Sequence, residues 1–243
     1  ILNAIDHDIE HTVFSYIPNT AVDAYYGMIE EVDRFCDAIK IEKILEAGKN
    51  PGRTQLKKIM DLKPRVEKVA VKDAKLRTFI TQDAQRDDLV THIYDITHGS
   101  IRSGIDTLVV LDDSIVRGTT LKQSIIRMLD RLGPVKIVIA SSAPQIRYPD
   151  CYGIDMTKLT EFIAFRAAIS LLKETRQEHL INEVYKKSKA QEDIPKEKVI
   201  NYVKEIYRPF TALQIADKIA ALVTPPSCKA KVSLVFQTIE DLH

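Results

Sequence analysis

The sequence has no tryptophan and only three cysteines among 243 residues. Cys36, Cys151 and Cys228 stand far apart and fit neither a zinc-site nor a CxxC spacing, which argues against a zinc finger, a redox motif and a disulfide framework. No apolar run reaches the length of a transmembrane helix, and no signal-peptide pattern follows Ile1. We therefore expect a cytoplasmic protein with reduced thiols and no membrane partner.

The sequence also has no excess of positive or negative charge. The chain carries 35 Lys and Arg against 34 Asp and Glu, a formal net charge of +1, and no basic stripe interleaved with aromatic residues. This balance gives no overall attraction to polyanions, so nucleic acid is not an expected partner. With 45% hydrophobic residues, the chain is long enough for one large domain, or for one domain with an appendage.

The most informative segment is residues 108–120, Leu-Val-Val-Leu-Asp-Asp-Ser-Ile-Val-Arg-Gly-Thr-Thr. Its apolar run predicts a buried strand, its polar part a loop, and the apolar residues at helical spacing after it a helix. A loop that leads into a helix attracts anions through backbone N–H groups and the helix dipole. Two acids, Asp112 and Asp113, stand where the strand ends. A phosphate cradle beside paired carboxylates suggests a phosphorylated sugar and a hard cation.

Two common phosphate motifs are excluded at this loop. It has no Gly-Lys-Ser/Thr of a Walker loop, and its single glycine does not make a dinucleotide fingerprint. The alternative interpretation of the pattern is an ordinary strand-to-helix turn with solvated acids.

Along the rest of the chain, the pattern predicts an α/β fold with a mostly parallel sheet flanked by helices. Strands are predicted at 12–17, 107–111, 135–140 and 232–239, with helices at 21–34, 119–132, 168–187 and 196–222. We assign residues 1–166 to one domain, with a helical insertion at about 35–75 and a mobile loop at about 81–105. Residues 167–243 are predicted to form a helix-rich C-terminal extension.

The insertion contains a basic run made of Lys57, Lys58, Lys63, Arg65, Lys68, Lys72 and Lys75. A solvated helical face and a phosphate-binding surface both fit this run, and the solvated face is the simpler interpretation.

Residues 112–120 resemble the phosphoribosyl pyrophosphate (PRPP) loop of type I phosphoribosyltransferases. Residues 139–156, Ile-Ala-Ser-Ser-Ala-Pro-Gln-Ile-Arg-Tyr-Pro-Asp-Cys-Tyr-Gly-Ile-Asp-Met, narrow the resemblance to the glutamine PRPP amidotransferases, or amidophosphoribosyltransferases. These enzymes make 5-phosphoribosylamine, the first committed step of purine synthesis. Two shorter matches are Arg77-Thr78-Phe79-Ile80 and Tyr16-Ile17-Pro18-Asn19-Thr20.

The resemblance implies a role for each part of the site. Asp112 and Asp113 would hold the ribose hydroxyls, directly or through Mg²⁺, and stabilise positive charge on the ribose. The 5′-phosphate would be bound by Ser114, Ile115, Val116, Arg117, Gly118, Thr119 and Thr120. The pyrophosphate leaving group would be contacted by Pro18, Asn19, Thr20, Arg77 and Thr78, with Arg77 also assigned a catalytic role.

The resemblance also implies partners. The nucleophile would be ammonia, produced from glutamine by a glutaminase domain that no segment of this chain resembles. We therefore expect the chain to be one domain of a longer, homo-oligomeric protein, with purine nucleotides as possible inhibitors.

Two positions depart from the family pattern. Residues 81–105 have Arg86 and Arg102 but no lysine, and contain four aspartates, where the family's loop is rich in cations. Ala21 stands where a hydroxyl residue is expected. These departures favour an alternative: a catalytically weak or silent module that binds PRPP or a nucleotide. A salvage phosphoribosyltransferase that acts on a base is a third hypothesis, and residues 139–156 argue against it.

Overall fold

The computed structural model describes residues 1–18, 20–68, 70–72, 94–96, 99, 101–149 and 158–242. Within these ranges the strands are β1 (Thr12–Tyr16), β2 (Arg65–Val66), β3 (Ala70–Lys72), β4 (Tyr94–Ile96), β5 (Thr107–Asp112), β6 (Lys136–Ser141) and β7 (Lys231–Phe236). The α-helices are α1 (Val22–Glu46), α2 (Arg53–Met60), α3 (Ile126–Asp130), α4 (Ile163–Glu174), α5 (His179–Lys189), α6 (Lys204–Tyr207) and α7 (Ala212–Val223). A π-helical segment, Leu121–Ile125, leads directly into α3.

The main sheet has five strands in the order β2-β1-β5-β6-β7, and every neighbouring pair is parallel. Strands of a parallel sheet are covered on both faces, which explains why the central strand β5 is an unbroken apolar run. Residues 108–111 of this strand are almost completely buried. The predicted α/β fold with a mostly parallel sheet is confirmed.

The two faces of the sheet have separate cores because successive side chains of a strand point to opposite sides. On one face, Leu108 and Val110 belong to a core shared with α4, α7 and the helical segment after β5. On the other face, Val109 and Leu111 belong to a core shared with α1 and the N-terminal residues. Helices therefore cover both faces of β5, the strand that leads into the two acids.

The insertion differs in detail from its prediction. Helix α1 runs to Glu46, well past the predicted end at Arg34, because no proline interrupts it before Gly48, whose φ of 78° suits a helix terminus. The basic run does not form one helical face: Lys57 and Lys58 lie on α2, whereas Arg65 lies on β2.

Residues 94–96, inside the predicted mobile loop, form β4, which pairs antiparallel with β3. At the C-terminal end, the assigned division at residue 166 falls within α4, and β7 completes the same sheet. The predicted helix 196–222 is divided into a short turn, α6 and α7. No helix in the described part of the chain is long and apolar enough to cross a membrane.

The amino ends of the strands are held by a buried carboxylate. Asp106 is fully buried just before β5, where it forms ion pairs with Arg65 (2.7 Å) and Arg102 (2.7 Å). Burial acts to raise the pKa of Asp106, but the hydrogen bonds from Arg102 and Arg65 outweigh it and leave the pKa below its usual value. Arg102 also donates to the carbonyl of Glu10 (2.9 Å), so this cluster joins β2, β5 and the start of β1.

We expect Asp106→Asn to lower the free energy of unfolding by about 2–3 kcal/mol. This loss of stability is smaller than that expected for a fully buried ion pair, because both arginine side chains keep contact with water. Because folding lowers the pKa of Asp106, its contribution is present above the unfolded value near 4 and is lost as the pH falls through the folded value. Urea denaturation at pH 7 and pH 3.5 measures both effects. Asp37→Asn, which removes an exposed pair with Lys40, is the control and should change little; an equal loss in both variants would contradict the role of Asp106.

Candidate active site

The sheet order places the candidate site at a topological switch point. From β1 the chain crosses to β2 on one side, and it later returns to β5 on the other side of β1. Ligands of open α/β sheets bind in the crevice outside the carboxyl ends of two such strands. Tyr16 lies opposite Leu111, and the N–H of Ile17 donates to the carbonyl of Leu111 (2.8 Å). The segment from Pro18 and the loop from Asp112 therefore leave the sheet side by side.

The two carboxylates lie at the last position of β5 and directly after it. The N–H of Asp113 donates to Oδ1 of Asp112 at 3.0 Å. Beyond the end of β6, Ser142 extends the pairing: its N–H donates to the carbonyl of Asp112 (2.9 Å) and its Oγ to the carbonyl of Asp113 (3.1 Å). On one side, the backbone carbonyls of both acids thus accept hydrogen bonds from Ser142, one from its N–H and one from its hydroxyl.

Asp112 is in an unfavourable place for a negative charge. Burial, together with the hydrogen bond and the negative charge of Asp113, raises the pKa of Asp112 to about 7. A cation bound between the two carboxylates would relieve this repulsion. Shifted carboxyl groups in a crevice are typical of functional sites.

The loop after the acids ends at a helix N-terminus. The N–H of Lys122 donates to the carbonyl of Gly118 (3.1 Å), which is the first turn of the helical segment. The amides of residues 118–121 precede that turn, and N–H groups in such positions have no acceptor within the helix. The exposed side chains of Thr119 and Thr120 stand at the same end. The π-helical turn that follows is a feature often found at functional sites.

Gly118 determines the shape of the loop. Its φ is 71°, and a Cβ at this position would lie 2.9 Å from Cγ1 of Val223 and 3.2 Å from Cγ1 of Ile163. A side chain is excluded both by the backbone conformation and by the two neighbouring helices. The N–H of Ile163 also donates to the carbonyl of Val116 (2.8 Å). Helices α4 and α7 therefore hold the loop from outside the sheet.

The predicted site residues are only partly brought together. Asp112–Thr120 and the neighbouring Pro18 and Thr20 lie at one edge of the sheet, whereas Asn19, Arg77, Thr78 and residues 150–157 lie outside the described residues. Ile115 is buried, so its side chain packs in the core and only its backbone can face a ligand. Ala21 is fully buried at the start of α1, and its carbonyl accepts from the N–H of Tyr25 (2.9 Å).

Three residues that the sequence did not single out take part in the site. Glu161 forms an ion pair with Arg117 (Nη2 to Oε2, 2.8 Å). Val223 packs against Gly118, and Ser142 bonds to both acidic residues. Ser142 lies inside the segment that carries the family resemblance, but Glu161 and Val223 have no local signal because their contacts are made by distant parts of the chain.

The two carboxylates suit Mg²⁺ better than a metal ion that takes all of its ligands from protein side chains. Among the described residues, no group of three or more His, Cys, Asp and Glu side chains is placed to hold a metal ion. Mg²⁺ is usually bound by one or two carboxylates and completes its shell with water and phosphate oxygens. Asp112 and Asp113 could supply those carboxylates.

Known proteins match this chain over part of its length. A 57-residue stretch is 54% identical to the amidophosphoribosyltransferase of Escherichia coli (strain K12), covering 24% of this chain and 11% of that protein. The protein of the same name from Saccharomyces cerevisiae is 48% identical over 58 residues, which are 24% of this chain and 11% of that protein. In Staphylococcus epidermidis (strain ATCC 12228) the match is 36% over 93 residues, covering 36% and 17%. The matched stretches thus span between about a tenth and a sixth of these relatives. The predicted resemblance to amidophosphoribosyltransferases is confirmed over this part of the chain.

No protein-family model matches the chain. Two solved structures align with it at 20% identity. One is described as the allosteric regulatory enzyme of purine biosynthesis, with a TM-score of 0.45 and coverage of 98% of this chain and 33% of that one. The other is the glutamine PRPP amidotransferase from B. subtilis in complex with ADP and GMP, with a TM-score of 0.39 and coverage of 90% and 35%.

We expect Gly118→Ala to destabilise the protein by about 1–3 kcal/mol and to weaken phosphate binding. The added methyl group meets Val223 and Ile163 while the backbone remains at positive φ. Gly27→Ala in α1, where a Cβ meets no atom within 4 Å, is the matched control and should be neutral or stabilising. Thermal unfolding and titration with ribose 5-phosphate measure both effects; equal behaviour of the two variants would contradict the packing argument.

We expect Asp112→Asn to be more stable than the wild type at pH 8. Folding raises the pKa of Asp112 from its unfolded value near 4 to about 7, so its contribution to stability falls as the pH rises through this window. Asparagine removes the buried charge and can still accept the N–H of Asp113. Urea denaturation in chelator at pH 4.5 and pH 8 tests this, and the advantage of the variant should shrink at the lower pH. An advantage independent of pH would contradict it.

Proposed function

We propose that this chain is the phosphoribosyltransferase part of an amidophosphoribosyltransferase. It would form 5-phosphoribosylamine and pyrophosphate from PRPP and ammonia, the first step of purine synthesis, with Mg²⁺. The single observation that carries the proposal is the placement of paired carboxylates and a helix-start loop at the switch point between β1 and β5. The partial identity to proteins of that name supports it.

Each part of the loop has a chemical task in this proposal. The amides of residues 118–121 and the hydroxyls of Thr119 and Thr120 would bind the 5′-phosphate, since charge-assisted hydrogen bonds to a dianion are strong. Asp112 and Asp113 would orient the ribose hydroxyls and hold Mg²⁺, which neutralises charge on PRPP when bound.

The reaction itself requires little further chemistry from the chain. The nitrogen of ammonia forms a bond to C1 of the ribose as the bond from C1 to pyrophosphate breaks, and a proton is lost to solvent. Carboxylates close to the ribose stabilise the positive charge that develops on it. Ammonia is already a nucleophile, so no general base is needed. The segment at Pro18–Thr20, together with Arg77 and Thr78, would contact pyrophosphate.

A second candidate is a module that binds PRPP without turnover. Arg102, one of two arginines in residues 81–105, is engaged by the buried Asp106 at the amino end of β5. That end of the sheet is opposite to the switch point, so Arg102 does not serve the pyrophosphate. Only Arg86 remains as an arginine or lysine in a segment that also carries four aspartates.

Titration calorimetry with PRPP at millimolar Mg²⁺ tests the proposal. We expect the wild type to bind PRPP and Asp112→Asn to bind much more weakly, while Asp37→Asn on α1 remains like the wild type. No affinity in the wild type would overturn the proposal.

A pyrophosphate-release assay with added ammonium separates the two candidates. Ammonia-dependent release above background supports the enzyme, whereas binding with no release supports the silent module. If adenine, guanine, hypoxanthine or orotate replaced ammonia efficiently, a salvage phosphoribosyltransferase would be the better assignment.

A further inference from the structure

The ion pair between Arg117 and Glu161 connects the loop after β5 to the residues just before α4. Nη2 of Arg117 lies 2.8 Å from Oε2 of Glu161, and the two side chains are 43% and 37% exposed. Arg117 is the residue directly before Gly118, so its charge belongs to the same loop as the amides at the helix start. An ion pair this exposed is weak and is readily exchanged for a stronger one.

The loop does not need this ion pair to keep its position. The N–H of Ile163 donates to the carbonyl of Val116 (2.8 Å), and the side chains of Ile163 and Val223 pack against Gly118. These contacts are backbone and apolar, and they lie next to both partners of the pair. The effect of Glu161 on the loop is therefore mainly electrostatic: its negative charge occupies the guanidinium of Arg117, which would otherwise attract an anion to the loop.

We propose that Glu161 is an intramolecular competitor for Arg117 that lowers the affinity of the loop for phosphomonoesters. The inference rests on the proposed function, because it requires that the loop binds a sugar phosphate. A phosphomonoester dianion displaces Glu161 from the guanidinium, since it carries twice the charge of a carboxylate and binds arginine with the same paired N–H geometry. Glu161 thereby favours phosphomonoesters over singly charged anions, which compete less well for Arg117.

The experiment is calorimetric titration with ribose 5-phosphate at low salt and without metal. Ribose 5-phosphate is used because it engages the 5′-phosphate side alone. We expect Glu161→Gln to bind it roughly two- to five-fold more tightly than the wild type, the range that an exposed ion pair allows. Arg117→Met should bind more weakly than the wild type.

A double-mutant cycle shows whether the gain passes through Arg117. In the Arg117→Met background, Glu161→Gln should bring a markedly smaller gain than it does alone, because the competition has been removed. Glu178→Gln removes the same charge from an exposed site at the start of α5 and is the matched control; it should bind like the wild type. If Glu161→Gln alters the melting temperature, Glu161→Asp, which keeps the charge on a shorter side chain, should show a smaller gain of the same sign.

The outcomes distinguish a failure of the competitor role of Glu161 from a failure of the proposed function. An affinity of Glu161→Gln equal to or below that of the wild type would overturn the competitor role, while PRPP binding by the wild type would leave the proposed function standing. An equal gain with and without Arg117 would also overturn it. If the wild type binds neither ribose 5-phosphate nor PRPP, both proposals fall.

Discussion

The loop after β5 packs so closely against Ile163 and Val223 that Gly118 has no room for a side chain. Its positive φ turns the chain sharply, and the helical segment starts within the next residues. The direction of the amides, the place of the two threonines and the distance from the acids all follow from this turn. A contact made by two helices from the last third of the chain thus determines the geometry of a loop near its middle.

The constraint at Asp112 and Asp113 is electrostatic rather than steric. Asp112 follows residues 108–111, which are almost completely buried, and a charge is costly at this place; the adjacent carboxyl of Asp113 increases that cost. Local rules would favour an uncharged residue at this position, and sites that break such rules are commonly the functional ones. The hydrogen bonds from the N–H and the hydroxyl of Ser142 keep the backbone of both acids in place, so the repulsion is not relieved by movement of the chain.

Much of the fold could be predicted from the sequence because hydrophobic periodicity carries it. The apolar run at residues 108–111 indicated a buried strand, and the strand-loop-helix order at residues 108–120 indicated where the candidate site lies. The predicted end of α1 at Arg34 was wrong because the charged residues at 35–46 are compatible with either a helix or a loop. The helix in fact ends only shortly before Gly48.

The contacts of the fold and of the candidate site that could not be predicted depend on residues far apart in the sequence. The pairing of Arg65 with Asp106 joins positions that no local pattern connects. The same is true of Glu161 beside Arg117 and of Val223 beside Gly118. Periodicity reports which residues are buried, but not which buried or charged residues meet.

The contacts of helix α7 affect the order in which parts of the chain fold. Its Val223 supports Gly118, and the carbonyl of its first residue, Ala212, accepts from the side chain of Gln145 in the loop after β6 (2.7 Å). Strand β5 pairs with β1 across roughly ninety residues, and such distant parallel pairings form slowly. The loop cannot reach its final packing on the ribosome until residue 223 has emerged, long after the loop itself has been synthesised. The final geometry of the loop is therefore reached only after helix α7 has been synthesised.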